Sequence, residues 1–225
     1  MAEKVYGHYC GLAKALDVIG ERWTLLVVRE LSLGPKRFSD LEAGLVGVST
    51  SVLTERLTRL ERAGVVERRT MAPPAASKVY ALTSTGWELA RAMIPLAGWG
   101  LRFLAAQPKK PAEAFRPAWG LMFQSATFDR DVARGVHDVY EYHIGDSVVS
   151  VIIDDGEMRV VEAASERAPD VQIFADPATF TDVGLGRLRG RTAIREKKMQ
   201  LVGSAAAKRR FRQIMRPLVG AGGGR

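Results

Sequence analysis

The chain has few of the side chains that bind metals or form covalent cross-links. Its 225 residues include one cysteine, Cys10, and three scattered histidines, His8, His137 and His143. A single thiol excludes an intramolecular disulfide and any zinc site built on paired cysteines, and the histidines do not have the spacing of metal ligands. We therefore predict a protein without a bound metal and without a cofactor.

Long apolar segments and catalytic motifs are also absent. No apolar run approaches the ~20 residues that a membrane-spanning helix requires, and residues 1–20 lack the basic-then-apolar layout of a secretory signal. The sequence contains no phosphate-binding loop, no dinucleotide fingerprint and no Ser/His/Asp grouping. We expect a cytoplasmic protein that is not an enzyme, has no catalytic residues and has no membrane partner.

Positive charge is in excess, and it is unevenly distributed. The formal net charge is +8 and the isoelectric point is about 9.9, which favours an anionic partner. Residues 116–186 carry 5 basic and 13 acidic side chains, so we do not expect them to lie along DNA. Residues 187–225 carry 12 basic and 1 acidic side chain. This basic stretch is compatible with DNA, an anionic lipid or an acyl-CoA-like ligand, although a solvated surface is the interpretation we favour.

The first third of the chain has helical periodicity. Two amphipathic helices separated by Gly20 are predicted by apolar residues at spacings of three and four, namely Leu12, Leu16, Ile19, Trp23, Leu26, Val27 and Leu31. A short third helix is expected to begin at a capping box formed by Ser39 and Glu42 and to end near Gly44. The spacing of these elements is typical of a small helical core.

A fourth helix follows the turn at Gly47, with one apolar and one polar face. Hydroxyl side chains at residues 49–51 can cap its start, and Leu53, Leu57 and Leu60 form a single apolar stripe that ends before Gly64. Its opposite face is polar and has short side chains near the N-terminus. Such a face suits entry into a DNA groove.

A β-hairpin and a long helix complete the N-terminal half. Residues 65–69 and 78–82 are predicted to pair as strands around a Pro-rich turn at 73–77, and Thr83 or Ser84 is predicted to cap a helix from Trp87 to about Ala106. Helices on both flanks of a winged core commonly pair across a two-fold axis, which predicts a homodimer. We assign residues 1–106 to this DNA-binding and dimerisation domain.

The C-terminal half is predicted to be a separate α+β domain. Residues 107–111 are linker-like, residues 112–219 form the domain, and residues 220–225 are expected to be a disordered tail. Strands are expected at 139–144, 147–153, 158–162 and 171–174, with a hairpin turn at 154–156, and helices at about 111–126, 177–188 and 205–218. The fold class is therefore α+β: a winged helix-turn-helix followed by a domain with a largely antiparallel sheet.

The N-terminal half closely resembles the HxlR-type winged-helix regulators, a branch of the MarR-like group. The resemblance lies in CGLAKALDVIGERWT at residues 10–24, GPKRFSDL at 34–41, STSVLTERLTRL at 49–60, GVVER at 64–68, and YALT at 80–83 with Gly86. It covers roughly residues 8–105. The resemblance implies a homodimeric regulator that binds double-stranded DNA.

The C-terminal half resembles sterol-carrier-protein-like domains, in which an α+β fold surrounds an apolar cavity. The matching segments are YEYHI at 140–144, the Asp155-Gly156 turn, ADPATF at 175–180, Gly186-Arg187 and LVGS at 201–204. Ser204 stands where such domains usually have an acidic residue. The resemblance implies an apolar small-molecule effector, and a filled core is the alternative.

The candidate DNA-binding residues fall into two groups. We expect Ser49, Thr50, Ser51 and Thr54 to lie near the groove. Cations at the edges of the motif displace counterions from DNA, and the candidate phosphate contacts are Lys36, Arg37, Arg56, Arg59, Arg69 and Lys78. For each cation taken singly, an ordinary surface charge is about as good an explanation.

Two further alternatives concern Cys10 and the overall function. Cys10 lies at the start of the first helix, where the helix dipole can make a thiol reactive, and regulators of this kind include redox switches near this position. A small, inert helix residue is the interpretation we favour. The alternative overall function is a lipid or apolar-ligand binding protein whose helix-turn-helix serves mainly for dimerisation.

Overall fold

The computed structural model describes residues 5–71, 77–105, 114–124 and 128–215. Its backbone contacts divide the chain into two compact units, Met1–Met93 and Ile94–Arg225. The predicted linker and the predicted tail fall outside the described residues, so the domain boundary at residue 106 stays a prediction. In the described segments, every helix is too short or too polar to cross a membrane.

The first unit is a winged helix-turn-helix, as predicted. Its elements are α1 (Gly11–Ile19), α2 (Thr24–Ser32), α3 (Phe38–Gly44), α4 (Thr50–Arg62), β1 (Val66–Thr70), β2 (Lys78–Leu82) and the start of α5 (Ser84–Ala105), which continues into the second unit. β1 and β2 are antiparallel, with Val66 opposite Leu82. The predicted turn between them lies mostly outside the described residues.

An aliphatic core holds this unit together. The apolar stripe of α4 is fully buried, with Leu53 and Leu60 at 0% exposure, and it packs with Val27 and Leu31 of α2 and Leu41 of α3. Burial of one such side chain contributes about 1.5–3 kcal/mol. Because the stripe faces inward, the opposite side of α4 is left to solvent.

Two helix starts differ from the sequence prediction. α3 begins at Phe38, so the expected capping box of Ser39 and Glu42 is wrong; instead the Arg37 N–H donates to Asp40 Oδ2 at 3.0 Å. α5 begins at Ser84 and not at Trp87, because Thr83 caps it: the Gly86 N–H donates to Thr83 Oγ1 at 3.1 Å. In both cases a side-chain oxygen three residues away accepts from an amide that would otherwise be unpaired.

The second unit is an α+β domain around a five-stranded sheet. Its elements are α6 (Pro117–Gln124), β3 (Val139–Ile144), β4 (Ser147–Asp154), β5 (Glu157–Val161), β6 (Val171–Ala175), α7 (Pro177–Gly184), α8 (Gly190–Arg195), β7 (Met199–Gly203) and α9 (Ala205–Ile214). The strand order is β5-β4-β3-β6-β7, and only the β3/β6 pair is parallel. The predicted largely antiparallel sheet is confirmed. Asp155 and Gly156 both have positive φ, as a type I′ hairpin turn requires.

Several boundaries in this unit differ from the prediction. α6 and α7 are shorter than expected. α8 and β7 were not predicted, because α8 lies within the basic run at 187–198 and β7 follows it directly, so neither has a clear apolar pattern. α9 ends at Ile214, and the predicted extension to residue 218 falls outside the described residues. Ser204 accepts a hydrogen bond from the Ala207 N–H at 3.1 Å, so the serine caps α9.

An aromatic cluster lies between the sheet and two of its helices. The Tyr140 ring packs edge-on against Phe211 of α9 at 5.1 Å, and the Tyr142 ring packs against Phe180 of α7 at 6.1 Å. Such pairs contribute about 0.5–1.5 kcal/mol beyond the area they bury. The face of β3 that carries Tyr140 and Tyr142 is therefore covered by α7 and α9.

Candidate nucleic-acid interface

Exposed hydroxyl groups mark the start of α4. Ser49 is its N-cap, and its Oγ accepts a hydrogen bond from the Val52 N–H at 3.3 Å. The Ser49 and Ser51 hydroxyl oxygens lie 3.1 Å apart, and both residues are exposed. Short side chains at a helix start keep the backbone close to any surface that the helix meets. Both serines lie where the sequence predicts groove contacts.

Two threonines on the same helix end are also exposed, and both are oriented by hydrogen bonds. Thr50 Oγ1 donates to Glu42 Oε1 of α3 at 2.5 Å, which joins the two helices of the helix-turn-helix. Thr54 Oγ1 donates to the Thr50 carbonyl oxygen at 2.8 Å. Each hydroxyl oxygen can still accept a hydrogen bond from a ligand. The structure thus brings Ser49, Thr50, Ser51 and Thr54 together at one helix end.

Four of the predicted cations lie on the hairpin or just before α3. The backbone of Lys36 pairs with Tyr80 of β2 through two hydrogen bonds of 3.0 and 2.8 Å, so the loop before α3 extends the small sheet. Arg37 is exposed at the start of α3, and Lys78 is exposed at the start of β2. Arg69 is exposed on β1, and its Nε donates to Glu67 at 2.7 Å. The pairing with Tyr80 therefore places Lys36 beside the hairpin that carries Arg69 and Lys78.

Arg56 and Arg59 are placed differently from the sequence prediction. Arg56 is only 7% exposed; its Nε donates to the Arg22 carbonyl oxygen at 3.1 Å, and its Nη2 lies 3.2 Å from Glu21 Oε2. Arg59 is largely buried and donates to the Asp17 carbonyl oxygen. Both guanidinium groups therefore hold α4 against the end of α1 and the turn that follows it, and we leave them out of the interface.

The helical spacing contained a signal for this burial. Leu53, Arg56, Leu57 and Leu60 follow the i, i+3, i+4, i+7 pattern of one buried helix face, so Arg56 is flanked by the apolar stripe. What sequence reasoning could not supply is its partner, because Glu21 is 35 residues away. A guanidinium group is buried only where acceptors satisfy it.

The turn that Arg56 contacts has an unusual backbone. Trp23 has φ of 79°, in the left-handed region that a bulky side chain rarely adopts, and the Arg22 guanidinium lies 5.5 Å from the centre of its ring. Such a conformation costs of the order of 1–3 kcal/mol and persists only where surrounding contacts impose it. The Arg56 hydrogen bond to Arg22 is one of those contacts.

Arg68 is a further cation of the hairpin that the sequence prediction missed. Its Nε lies 2.7 Å from Glu61 Oε1 of α4, and its guanidinium lies 5.3 Å from the centre of the Tyr80 ring. The hydrogen bond to Glu61 and the proximity of Tyr80 raise the pKa of Arg68. Arg68 therefore joins the hairpin to the end of α4.

Cys10 is the exposed residue immediately before α1. Its thiol makes no capping hydrogen bond, yet the amide groups of Ala13 and Leu12 are placed to lower the pKa of the Cys10 thiol. A lower pKa increases the thiolate fraction, which is the reactive form. Across the described segments, no cluster of three or more His, Cys, Asp or Glu side chains could hold a metal ion.

The first unit and the second unit match different protein families. Residues 18–108 match the HxlR-like helix-turn-helix model, and residues 121–216 match the SCP-2 sterol transfer family. The chain is 37% identical over 91 residues to the HTH-type transcriptional regulator YvaP of Bacillus subtilis, which covers 40% of this chain and 84% of YvaP.

Two other comparisons match a similar share of the chain. An HTH-type transcriptional regulator of Mycobacterium bovis is 35% identical over 100 residues, and the match covers 44% of this chain and 62% of that protein. The solved structure of quinone-bound YodB from B. subtilis is 30% identical with a TM-score of 0.35, covering 40% of this chain and 93% of YodB. Since the identity to YvaP extends over most of that regulator, the chain belongs to the HxlR-like helix-turn-helix family of transcriptional regulators.

Proposed function

We propose that the chain is a homodimeric, sequence-specific DNA-binding regulator in which the start of α4 reads base edges. The observation that carries this proposal is the group of exposed hydroxyls at residues 49–51 and Thr54, on a helix whose other face is locked into the core. Hydroxyl groups donate to and accept from bases in the major groove. A recognition helix needs such a rigid support behind it.

Four cations of the first unit supply the phosphate contacts. Lys36 and Arg37 precede α3, whereas Arg69 and Lys78 lie on the hairpin. Phosphate contacts fix the position of a recognition helix along the groove without adding sequence information. Arg56 and Arg59 contribute indirectly, because they hold α4 to α1.

Exposed apolar side chains support the homodimer. On α1 and the segment before it, Tyr9 is fully exposed and Leu12 is 69% exposed. On α5, Leu96, Trp99 and Phe103 share one helix face, and each is more than half exposed. Apolar groups of this size on a helix surface are typical of protein–protein interfaces. Two recognition helices related by a two-fold axis would address half-sites one helical turn apart.

The second unit is proposed to sense an apolar small molecule. Support comes from the SCP-2 match over residues 121–216. The same match also supports the alternative in which the protein mainly binds lipids and the helix-turn-helix only dimerises.

A DNA-binding titration separates the two functions. The probe is the DNA upstream of the protein's own coding region, with scrambled DNA of the same length for comparison, over a range of salt concentrations. Substitution of Ser51 and Thr54 by Ala should change the preference among sequences. Arg37→Ala or Lys78→Ala should weaken binding to all sequences and reduce the salt slope by about 1, the value for one phosphate contact. Equal affinity for both DNAs in the unsubstituted protein would favour the lipid-binding alternative.

The effector is tested by thermal unfolding of the full chain with fatty acids, acyl-CoAs and sterols. A ligand present at a hundredfold excess over its dissociation constant should add about 2.7 kcal/mol to the free energy of unfolding. If no compound raises the melting temperature, the second unit is not a sensor of these ligands.

A further inference from the structure

One border of the sheet in the second unit carries an excess of positive charge. Residues 187–215 contain ten Lys or Arg and a single acidic residue, Glu196. The helices of this stretch, α8 and α9, both pack on β7, which is an edge strand of the sheet. We call six of its exposed cations the basic edge: Arg189, Arg191, Arg195, Lys197, Arg209 and Arg212.

Few of these cations have a counter-charge. Glu196 forms an ion pair with Lys198, with 2.9 Å between Oε2 and Nζ, and its Oε1 lies 4.0 Å from Arg195 Nη2. Within the described segments, no carboxylate is within ion-pair distance of Arg191, Arg209 or Arg212. Unpaired surface cations that lie close together repel one another, so their accumulation favours a polyanionic partner.

The region around the β4–β5 turn differs sharply. β5 is the opposite edge strand, and nearby arginines are paired: Arg130 with Glu157 at 2.5 Å and Arg134 with Asp131 at 2.9 Å. Asp154 and Asp155 add negative charge at the turn itself. The domain therefore carries opposite net charge on two separate parts of its surface, and an anionic partner is directed to the basic edge.

The chemistry of the basic edge fits a nucleic-acid backbone better than a membrane. Of the large apolar side chains on α8, β7 and α9, all of which the structure describes, only Val202 is exposed, at 42%. Helices that bind lipid surfaces insert an apolar face beside their cations. Phosphates of duplex DNA need cations alone, and binding is driven by the release of counterions.

We propose that the basic edge is a second DNA-binding surface, which contacts phosphates of duplex outside the operator without reading sequence. The proposal rests on the proposed function, because the first unit must bring the chain to DNA. Once the operator is bound, the covalent connection places the basic edge at a high effective concentration near the same duplex. A weak, sequence-independent surface is sufficient under that condition.

The test compares two DNA lengths with paired charge deletions. One fragment carries only the operator, and the other extends it by about three helical turns, ~30 base pairs, on each side. The test variants are Arg209→Ala/Arg212→Ala and Arg191→Ala/Arg195→Ala, which remove neighbouring charges on α9 and α8. The control is Arg130→Ala/Arg134→Ala, which removes the same net charge near the β4–β5 turn.

We expect the unsubstituted protein to bind the extended fragment more tightly and with a steeper salt dependence. Each test variant should bind the short fragment normally, lose about tenfold in affinity for the long fragment at low salt, and flatten the salt slope by about 2. The control should behave like the unsubstituted protein. Melting temperatures of all variants should agree, because each substituted side chain is exposed.

Three results would overturn the proposal: no gain from the extended fragment, an equal loss in the control variant, or an equal loss on both lengths. Binding to phosphatidylserine vesicles that disappears in the test variants, with DNA binding unchanged, would assign the basic edge to membranes instead. Failure of the proposed function looks different, since the short operator and its scrambled version would then bind equally. In that case the salt slope on the long fragment still reports the basic edge independently.

Discussion

Helices α4 and α9 are built from the same components and use them differently. Each is capped by a serine whose Oγ accepts an amide three residues later, and each carries three arginines. In α4, two arginines turn inward and the exposed side chains near the helix start are hydroxyls. In α9, one arginine turns inward and the other two face solvent, with no ion-pair partner among the described residues.

The comparison shows that an arginine on a helix has one of two roles, and that acceptors on a distant part of the chain decide which. Arg210 makes two hydrogen bonds of 2.8 Å to Asp138, a carboxylate with 5% side-chain exposure. Arg56 donates hydrogen bonds to the Arg22 carbonyl oxygen and to the Glu21 carboxylate. Arginines of this kind hold the helix in place, and only the remaining ones are available to a partner.

The largest effect is expected from the inward arginine of α9. Arg210→Ala leaves the Asp138 carboxylate with the Tyr140 hydroxyl as its side-chain donor. Loss of a fully buried partner costs ~3–5 kcal/mol, and we expect about 2–3 kcal/mol because the Arg210 side chain is 39% exposed. Chemical denaturation of the full chain measures this difference. Arg209→Ala, one residue away and exposed, is the control and should change stability by less than about 0.5 kcal/mol.

A smaller effect is expected from the inward arginine of α4. Arg56→Ala removes the hydrogen bonds to Arg22 and Glu21, and we expect a loss of about 2 kcal/mol, since Glu21 is partly exposed and can be solvated. Operator affinity should fall as well, because α4 is no longer fixed to α1. Arg62→Ala, on the exposed end of the same helix, is the matched control in both assays. Equal stability of the two variants would contradict the assigned role of Arg56.

A carboxylate of the second unit, Glu141 on β3, is also held by hydrogen-bond partners, and these make the stability of the fold depend on pH. Burial raises the pKa of Glu141, but hydrogen bonds from Gln172, His143 and the Ser165 amide outweigh it, and the pKa in the folded state is lowered from 4.5. Glu141 therefore stabilises the fold fully above pH 4.5, and this stabilisation is lost as the pH falls through the lower folded-state value.

Melting temperatures of the full chain between pH 3 and pH 7 measure this loss of stability, which should correspond to about one titrating group. We expect Glu141→Gln to be less stable than the unsubstituted protein at neutral pH and to show a shallower decline in acid. Asp146→Asn, at an exposed position beyond the end of β3, serves as the control. A parallel decline in all three proteins would show that Glu141 does not contribute.

The smallest change in stability is expected at Cys10, which is fully solvent-exposed and holds nothing in place. Cys10→Ser should leave the melting temperature and basal DNA affinity unchanged. If the thiol is a redox switch, mild oxidation or a quinone should alter operator binding by the unsubstituted protein and not by the variant. Identical binding of both proteins before and after oxidation would assign Cys10 to the inert role.

Much of the fold could be predicted because its signals are local. The α4 stripe of Leu53, Leu57 and Leu60 has the period of a helix, and Asp155-Gly156 has the backbone freedom of a hairpin turn. β7 and α8 were not predicted, because elements of five and six residues in or beside a basic run are too short to show a periodic apolar pattern. The exposed hydroxyls of the candidate interface were also found locally, from their place at a helix start.

What the sequence by itself determined is the set of elements and the side chains each of them offers. Only the tertiary structure decided which charges are available, because the partners that bury Arg56 and Arg210 lie 35 and 72 residues away. An arginine has the same sequence signature whether it faces solvent or a distant carboxylate. Its energy in the two settings differs through desolvation, and desolvation depends on packing that is complete only after the chain has folded.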